Sequence, residues 1–160
     1  MRSLPPVGFH AALLLGVAMV LRVSPAEAVF IVNQPWVRPA QIAQATEAYM
    51  NLTSTDGAVL VGVATEAART ATIRAPGKAI VTAPRVALPP RTLVALAPDR
   101  YRIALSSLQR TLKQGDRVLM TLTIELADGS RQDIPVDAEV RLRSPIDDER
   151  GAHSHAHAPH

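Results

Sequence analysis

Apolar and polar residues alternate strictly along one late stretch of the chain. Val118, Met120, Leu122, Ile124 and Leu126 are interleaved with Leu119, Thr121, Thr123 and Glu125. Period two marks a half-buried strand, because successive side chains point to opposite faces. Asp128-Gly129 then supplies a turn, and Ile134, Val136, Ala138 and Val140 alternate with Asp133, Pro135, Asp137 and Glu139. The pattern predicts a β-hairpin. Pro135 has no N–H for a ladder, so its strand is expected at an edge or with that position facing outward.

Shorter β-rich runs precede the hairpin, at about 30–38, 45–54, 58–64, 70–74, 79–82, 92–96 and 101–105. Thr55-Asp56-Gly57, Ala75-Pro76-Gly77, Pro89-Pro90 and Pro98-Asp99 break the chain between them. Many short strands at this spacing predict an all-β sandwich or small barrel. Ser106–Lys113 is read as room for one helical turn. No internal repeat is present.

The two ends depart from this pattern. Arg2, the apolar run Ala11–Leu21 and Ala26-Glu27-Ala28 form the basic, apolar and small-residue parts of a secretory leader. The run is shorter than the roughly 20 residues a membrane-spanning helix needs. The expectation is a signal peptide over 1–28, a mature start at Val29, a periplasmic location and no membrane span after cleavage. The alternative is a leader retained as an anchor. At the other end, 144–160 closes in Gly-Ala-His-Ser-His-Ala-His-Ala-Pro-His, which has no large apolar residue and is expected to be a disordered tail. The folded domain is therefore expected over 29–143.

Composition narrows the chemistry. The chain has no cysteine, which excludes thiolate catalysis, Cys-ligated zinc, iron–sulfur clusters and a thiolate blue-copper centre. Removing Arg2, Arg22 and Glu27 with the leader leaves 15 basic and 13 acidic residues. The signs are interspersed and aromatic residues are few, so nucleic-acid binding is not expected. No His lies between the leader and His153, and Ser106 and Ser107 have no evident activating partner, so no enzyme is expected.

A set of short motifs adds a resemblance. They are Pro35-Trp36-Val37-Arg38-Pro39, Ala48-Tyr49-Met50-Asn51-Leu52, Val86-Ala87-Leu88-Pro89, Leu96-Ala97-Pro98-Asp99-Arg100-Tyr101, and Leu108 with Leu112-Lys113-Gln114-Gly115-Asp116. Ile134-Pro135-Val136 in the final hairpin completes the set. In order and spacing the chain resembles the periplasmic copper chaperones called PCu(A)C, from about Val32 to Val140. The resemblance implies a cupredoxin-like, immunoglobulin-like Greek-key β-sandwich that binds copper and delivers it to a copper-accepting protein such as an oxidase assembly partner. It also implies a Cu(I) site of two His and two Met, with a His-x-Met pair after the tyrosine. Here the tyrosine is Tyr101, and the pair positions hold Arg102 and Ala104. The first His would fall near Ile73 and the first Met near Ile80–Thr82, where neither type occurs. Guanidinium has no free lone pair for a metal. The two methionines of the body, Met50 and Met120, lie on apolar strand faces and are read as core.

The remaining metal-ready sequence is the tail. His153, His155, His157 and His160 can close around one ion when extended, because residues two apart project to one side. Imidazole suits Cu(II), zinc and nickel, and the absence of a thioether beside these histidines points to Cu(II). A second candidate is a cationic patch at Arg74, Arg100 and Arg102, drawn from a run that also includes Arg69, Lys78, Arg85 and Arg91. It would take an anion or an acidic partner surface and make the domain a non-metal binding module. A monomer is expected.

Overall fold

The structure is a computed structural model that describes residues 29–77 and 85–145. The leader, the 79–82 run, Lys78 and the tail histidines lie outside the described residues.

Nine strands are described: β1 (Phe30–Val37), β2 (Thr46–Ser54), β3 (Ala58–Ala64), β4 (Ala68–Arg74), β5 (Val86–Leu88), β6 (Val94–Leu96), β7 (Arg102–Leu108), β8 (Arg117–Leu126) and β9 (Arg131–Val140). They hydrogen-bond in the order β4-β7-β2-β1-β9-β8-β3-β5, with β6 also on β2. The sheet curls, so that β3 contacts β4 and the inner faces of the β4-β7-β2 half and the β9-β8-β3 half pack on one core. All pairings between the described strands are antiparallel except the short β1–β9 join at Trp36–Glu139 and Val37–Val140. β1 thus belongs to both halves.

The late alternation is realised as predicted. Val118, Met120, Leu122 and Ile124 are buried, as are Val136, Ala138 and Val140. β8 and β9 stay in continuous register from Arg117–Glu139 to Glu125–Arg131. Asp128 caps the turn by accepting from the Ser130 amide and hydroxyl. Pro135 is exposed and opposite Thr121, on a stretch of β9 whose other side has no strand partner among the described residues. Met50 and Met120 are both core residues.

Gly57 shows why the turn that carries the chain from β2 to β3 is written Asp-Gly. Its φ is +85°, and a Cβ there would approach the Pro90 ring to 3.2 Å. Both the conformation and the space favour glycine.

Three expectations are corrected. Ser106–Lys113 holds no helical turn: β7 continues to Leu108, and Leu112 exchanges backbone hydrogen bonds with Ala40 at 2.8 and 3.2 Å. Its amide and carbonyl are used across the sheet, which leaves no i to i+4 ladder. Val86–Leu88, read only as a motif, is the strand β5 on β3, because it buries Val86 and Leu88. The run at 92–96 is a strand only from Val94, where pairing with β2 begins.

Candidate functional site

The outer face of β2, β7 and β4 is unlike the rest of the surface. On β2, Thr46, Ala48, Met50 and Leu52 are buried, and the intervening Glu47 and Tyr49 take the other face. On β7, Ile103 and Leu105 enter the core, which turns Arg102, Ala104 and Ser106 outward. Ile73 of β4 is buried opposite Ile103, and Arg74 lies directly opposite Arg102. Arg38 arrives from the end of β1 and donates its amide to the Glu47 carbonyl at 3.1 Å.

A bulge sets the entry of β1. Asn33 pairs with Asn51 and Trp36 with Tyr49, so β1 carries one extra residue between them. Gln34 takes φ +51° there, a left-handed conformation that costs a non-glycine residue energy. The extra residue places the Trp36 ring 4.7 Å from that of Tyr49. The Arg38 guanidinium lies 5.5 Å from the Tyr49 ring centre, within cation–π range.

Glu47 is the hub of the face. It accepts from Arg102 Nε at 2.7 Å and from the Tyr49 hydroxyl at 2.5 Å, through different carboxylate oxygens. Arg102 also donates to the Ala75 carbonyl at 3.3 Å. Partial burial by itself would raise the Glu47 pKa. The hydrogen bonds from Tyr49 and Arg102, with the fields of Arg102 and Arg38, outweigh it and hold the carboxyl below the ordinary value. Burial and the Glu47 carboxylate push the Tyr49 phenol up to about 12. At neutral pH the hub is therefore a carboxylate, a neutral phenol and guanidinium ions.

Beside the hub is an open depression of about 480 Å³, with Arg38, Glu47, Arg74, Arg102 and Ser106 at its polar wall. Of the cationic patch expected from sequence, Arg74 and Arg102 are brought together. Arg100 is not: it is exposed in the turn between β6 and β7 and does not line the depression. Arg38, Glu47 and Tyr49 were not singled out as site residues. Their signals in the sequence were present but ambiguous, since Arg38 and Tyr49 fall in motifs and Glu47 occupies an outward position of an alternating strand.

Of the positions matched to copper ligands by resemblance, Ile80–Thr82 lie outside the described residues and the others fall in the same region. Arg102 and Ala104 lie on the outer face, and Ile73 packs in the core one strand away. Among the described residues no group of three His, Asp or Glu converges on a point.

The architecture has relatives among solved structures. The apo PCuAC domain from PmoF1 superposes with a TM-score of 0.61 at 27% identity, over 71% of this chain and 94% of that one. The Cu(I) form of DR1885 from Deinococcus radiodurans gives a TM-score of 0.55 at 27% identity, over 74% of this chain and 83% of that one. The copper-bound PCuAC domain from PmoF2 shares the fold, with a TM-score of 0.58 at 23% identity over 71% and 93%. The class is thus an all-β, cupredoxin-like sandwich of the PCuAC kind. Within it, residues 30–138 match the LpqE-like lipoprotein family model, and the chain belongs to that family. No curated protein matches it.

Proposed function

We propose that this chain is an exported copper-binding protein that carries copper as cargo on His153, His155, His157 and His160. Likeness of the body to PCuAC domains, one of them solved with Cu(I), supports copper as the metal. The observation that carries the reading is the distribution of ligands: none of the described residues is His or Cys, and the four tail histidines stand within eight residues. Imidazoles without thioethers favour Cu(II), and zinc and nickel can use the same donors. The role is binding and hand-off rather than catalysis, towards a copper-accepting protein. The leader at 1–28 and the lipoprotein family assignment support export. No cysteine occurs in the 160 residues, so no thiol within them can carry a lipid.

Competition against a chelator, with Cu(II), Cu(I) and Zn(II) titrated into full-length protein and a variant with all four tail histidines changed to Asn, tests this reading. Cu(II) binding should be lost in the variant and should weaken below about pH 6, where imidazole protonates. Equal Cu(II) affinity in the two proteins would refute the tail as carrier. Tight Cu(I) binding by the variant would instead place a copper site in the body.

A second reading has its own observation. Arg74 and Arg102 are cross-strand neighbours with Arg38 in one depression, which favours an anion- or partner-binding role for the folded body.

A further inference from the structure

We infer that Arg38, Arg74 and Arg102 form a carboxylate-recognition site for an acidic peptide segment of a partner protein; the inference rests on the anion- or partner-binding reading and specifies its ligand.

The charge of the depression is unbalanced. Three arginines share one carboxylate, Glu47, and both of its oxygens are already engaged by Arg102 and Tyr49. Arg74 has no ion pair or side-chain hydrogen bond among the described residues, although it stands opposite the like charge of Arg102. Like charges directly opposite on a sheet are destabilising, and a bound anion removes the penalty. Several other arginines of the described surface do sit beside acceptors: Arg85 by Glu125, Arg110 by Asp116, Arg117 by Asp137 and Arg141 by Glu139.

Ligand chemistry follows from the donors. A guanidinium fork matches the two oxygens of a carboxylate, and Arg102 already holds one oxygen of Glu47 through its Nε. Arg38 is held over the Tyr49 ring, which limits its freedom before any ligand arrives. Shape argues for a peptide rather than a single small anion. Arg38 also lines a neighbouring groove of about 370 Å³, whose walls include Trp36, Tyr49, Leu96, Pro98 and Leu142. Clustered carboxylates can lie on the arginines while an adjacent apolar side chain enters that groove.

The test is fluorescence anisotropy of a labelled peptide, with one leucine beside three consecutive acidic residues, titrated with the full-length protein. Inorganic phosphate is titrated in parallel, with emission from Trp36, the single tryptophan, as readout. Binding is expected to weaken with salt and to fall about tenfold in Arg74→Gln and in Arg38→Gln, the loss of one charge-assisted hydrogen-bonded contact. Arg100→Gln, outside the depression, should bind as the unmodified protein does. Equal binding by the Arg74→Gln and Arg38→Gln variants would overturn the assignment. A phosphate response without peptide binding would overturn the peptide ligand and leave the anion-binding reading standing, whereas silence in both arms removes both. Peptide binding that appears only after Asp147→Asn, Asp148→Asn and Glu149→Gln would overturn the partner and assign the arginines to the chain's own acidic run.

Discussion

Two outer faces of this sandwich are built by the same alternation and carry charge differently. On the β8–β9 hairpin the arginines have carboxylates beside them: Arg117 meets Asp137 at 2.9 Å, and Arg131 reaches Glu125, which it shares with Arg85 from the segment before β5. On the β2–β7–β4 face, Arg38, Arg74 and Arg102 gather around Glu47 alone. The first arrangement is a solvated surface whose pairs contribute little, because water and salt screen them. The second is partly buried, is knitted to an aromatic pair, and leaves cationic donors over. The difference teaches that a count of arginines does not find a site. What separates the two faces is whether the neighbouring strands supply matching carboxylates.

The largest effects should come from the core, which is common to both faces. Ile103→Ala, beneath the arginine face, and Leu122→Ala, beneath the hairpin, should each cost about 2–5 kcal/mol in urea unfolding. Both side chains are fully buried. A much smaller cost for Ile103 alone would mean that the β4-β7-β2 half is loosely packed, and the comparison of faces would lose its common base.

Next comes Glu47→Gln, which removes the negative charge that balances Arg102 and that holds the Tyr49 proton. Glu47 keeps 35% of its side chain in water, so screening trims the loss to about 1–2 kcal/mol. Asp137→Asn on the hairpin should shift the same urea midpoint much less. Comparable shifts for the two would break the distinction between the faces.

The pH dependence sharpens it further. Glu47 has a lowered folded pKa, so folding releases its proton more readily than the unfolded chain does. Its stabilisation is present above the unfolded value, roughly 4.3, and disappears as pH falls through the lower folded value. Acid unfolding of the unmodified protein should therefore steepen below about pH 4.3, and Glu47→Gln should flatten that part of the profile. An unchanged profile would show that other carboxylates dominate.

The smallest effect is spectroscopic. Tyr49, with its pKa raised to about 12, contributes stability that is present below its unfolded value near 10 and is lost as pH rises through the folded one. Absorbance at the phenolate band should show one of the two tyrosines ionising only near pH 12, provided the fold persists there. Glu47→Gln should bring that ionisation down. A Tyr49 that ionises with an unperturbed phenol would remove the hub from the second face.

Much of the fold was legible because alternation is a local property. The β8–β9 hairpin follows from period two and an Asp-Gly turn, and the core methionines follow from the faces of their strands. Strand β5 was not legible, since three residues carry too little period to distinguish a strand from a loop. The helical turn proposed at Ser106–Lys113 failed for a related reason. The bridge from Leu112 to Ala40, 72 positions earlier, is invisible locally.

The candidate site divides along the same line. Sequence alone determined that the chain has no cysteine, that four of its five histidines cluster at the end, and that the positions matched to the His-x-Met pair hold Arg102 and Ala104. Those are facts of residue identity and order, which need no folding. Only the tertiary structure decided that Arg74 and Arg102 stand opposite each other, that Arg100 lies elsewhere, and that Arg38, Glu47 and Tyr49 complete the face. The physical reason is register. Which outward side chains become neighbours depends on the alignment of β1, β2, β4 and β7, and long-range pairing with a one-residue bulge in β1 fixes that alignment.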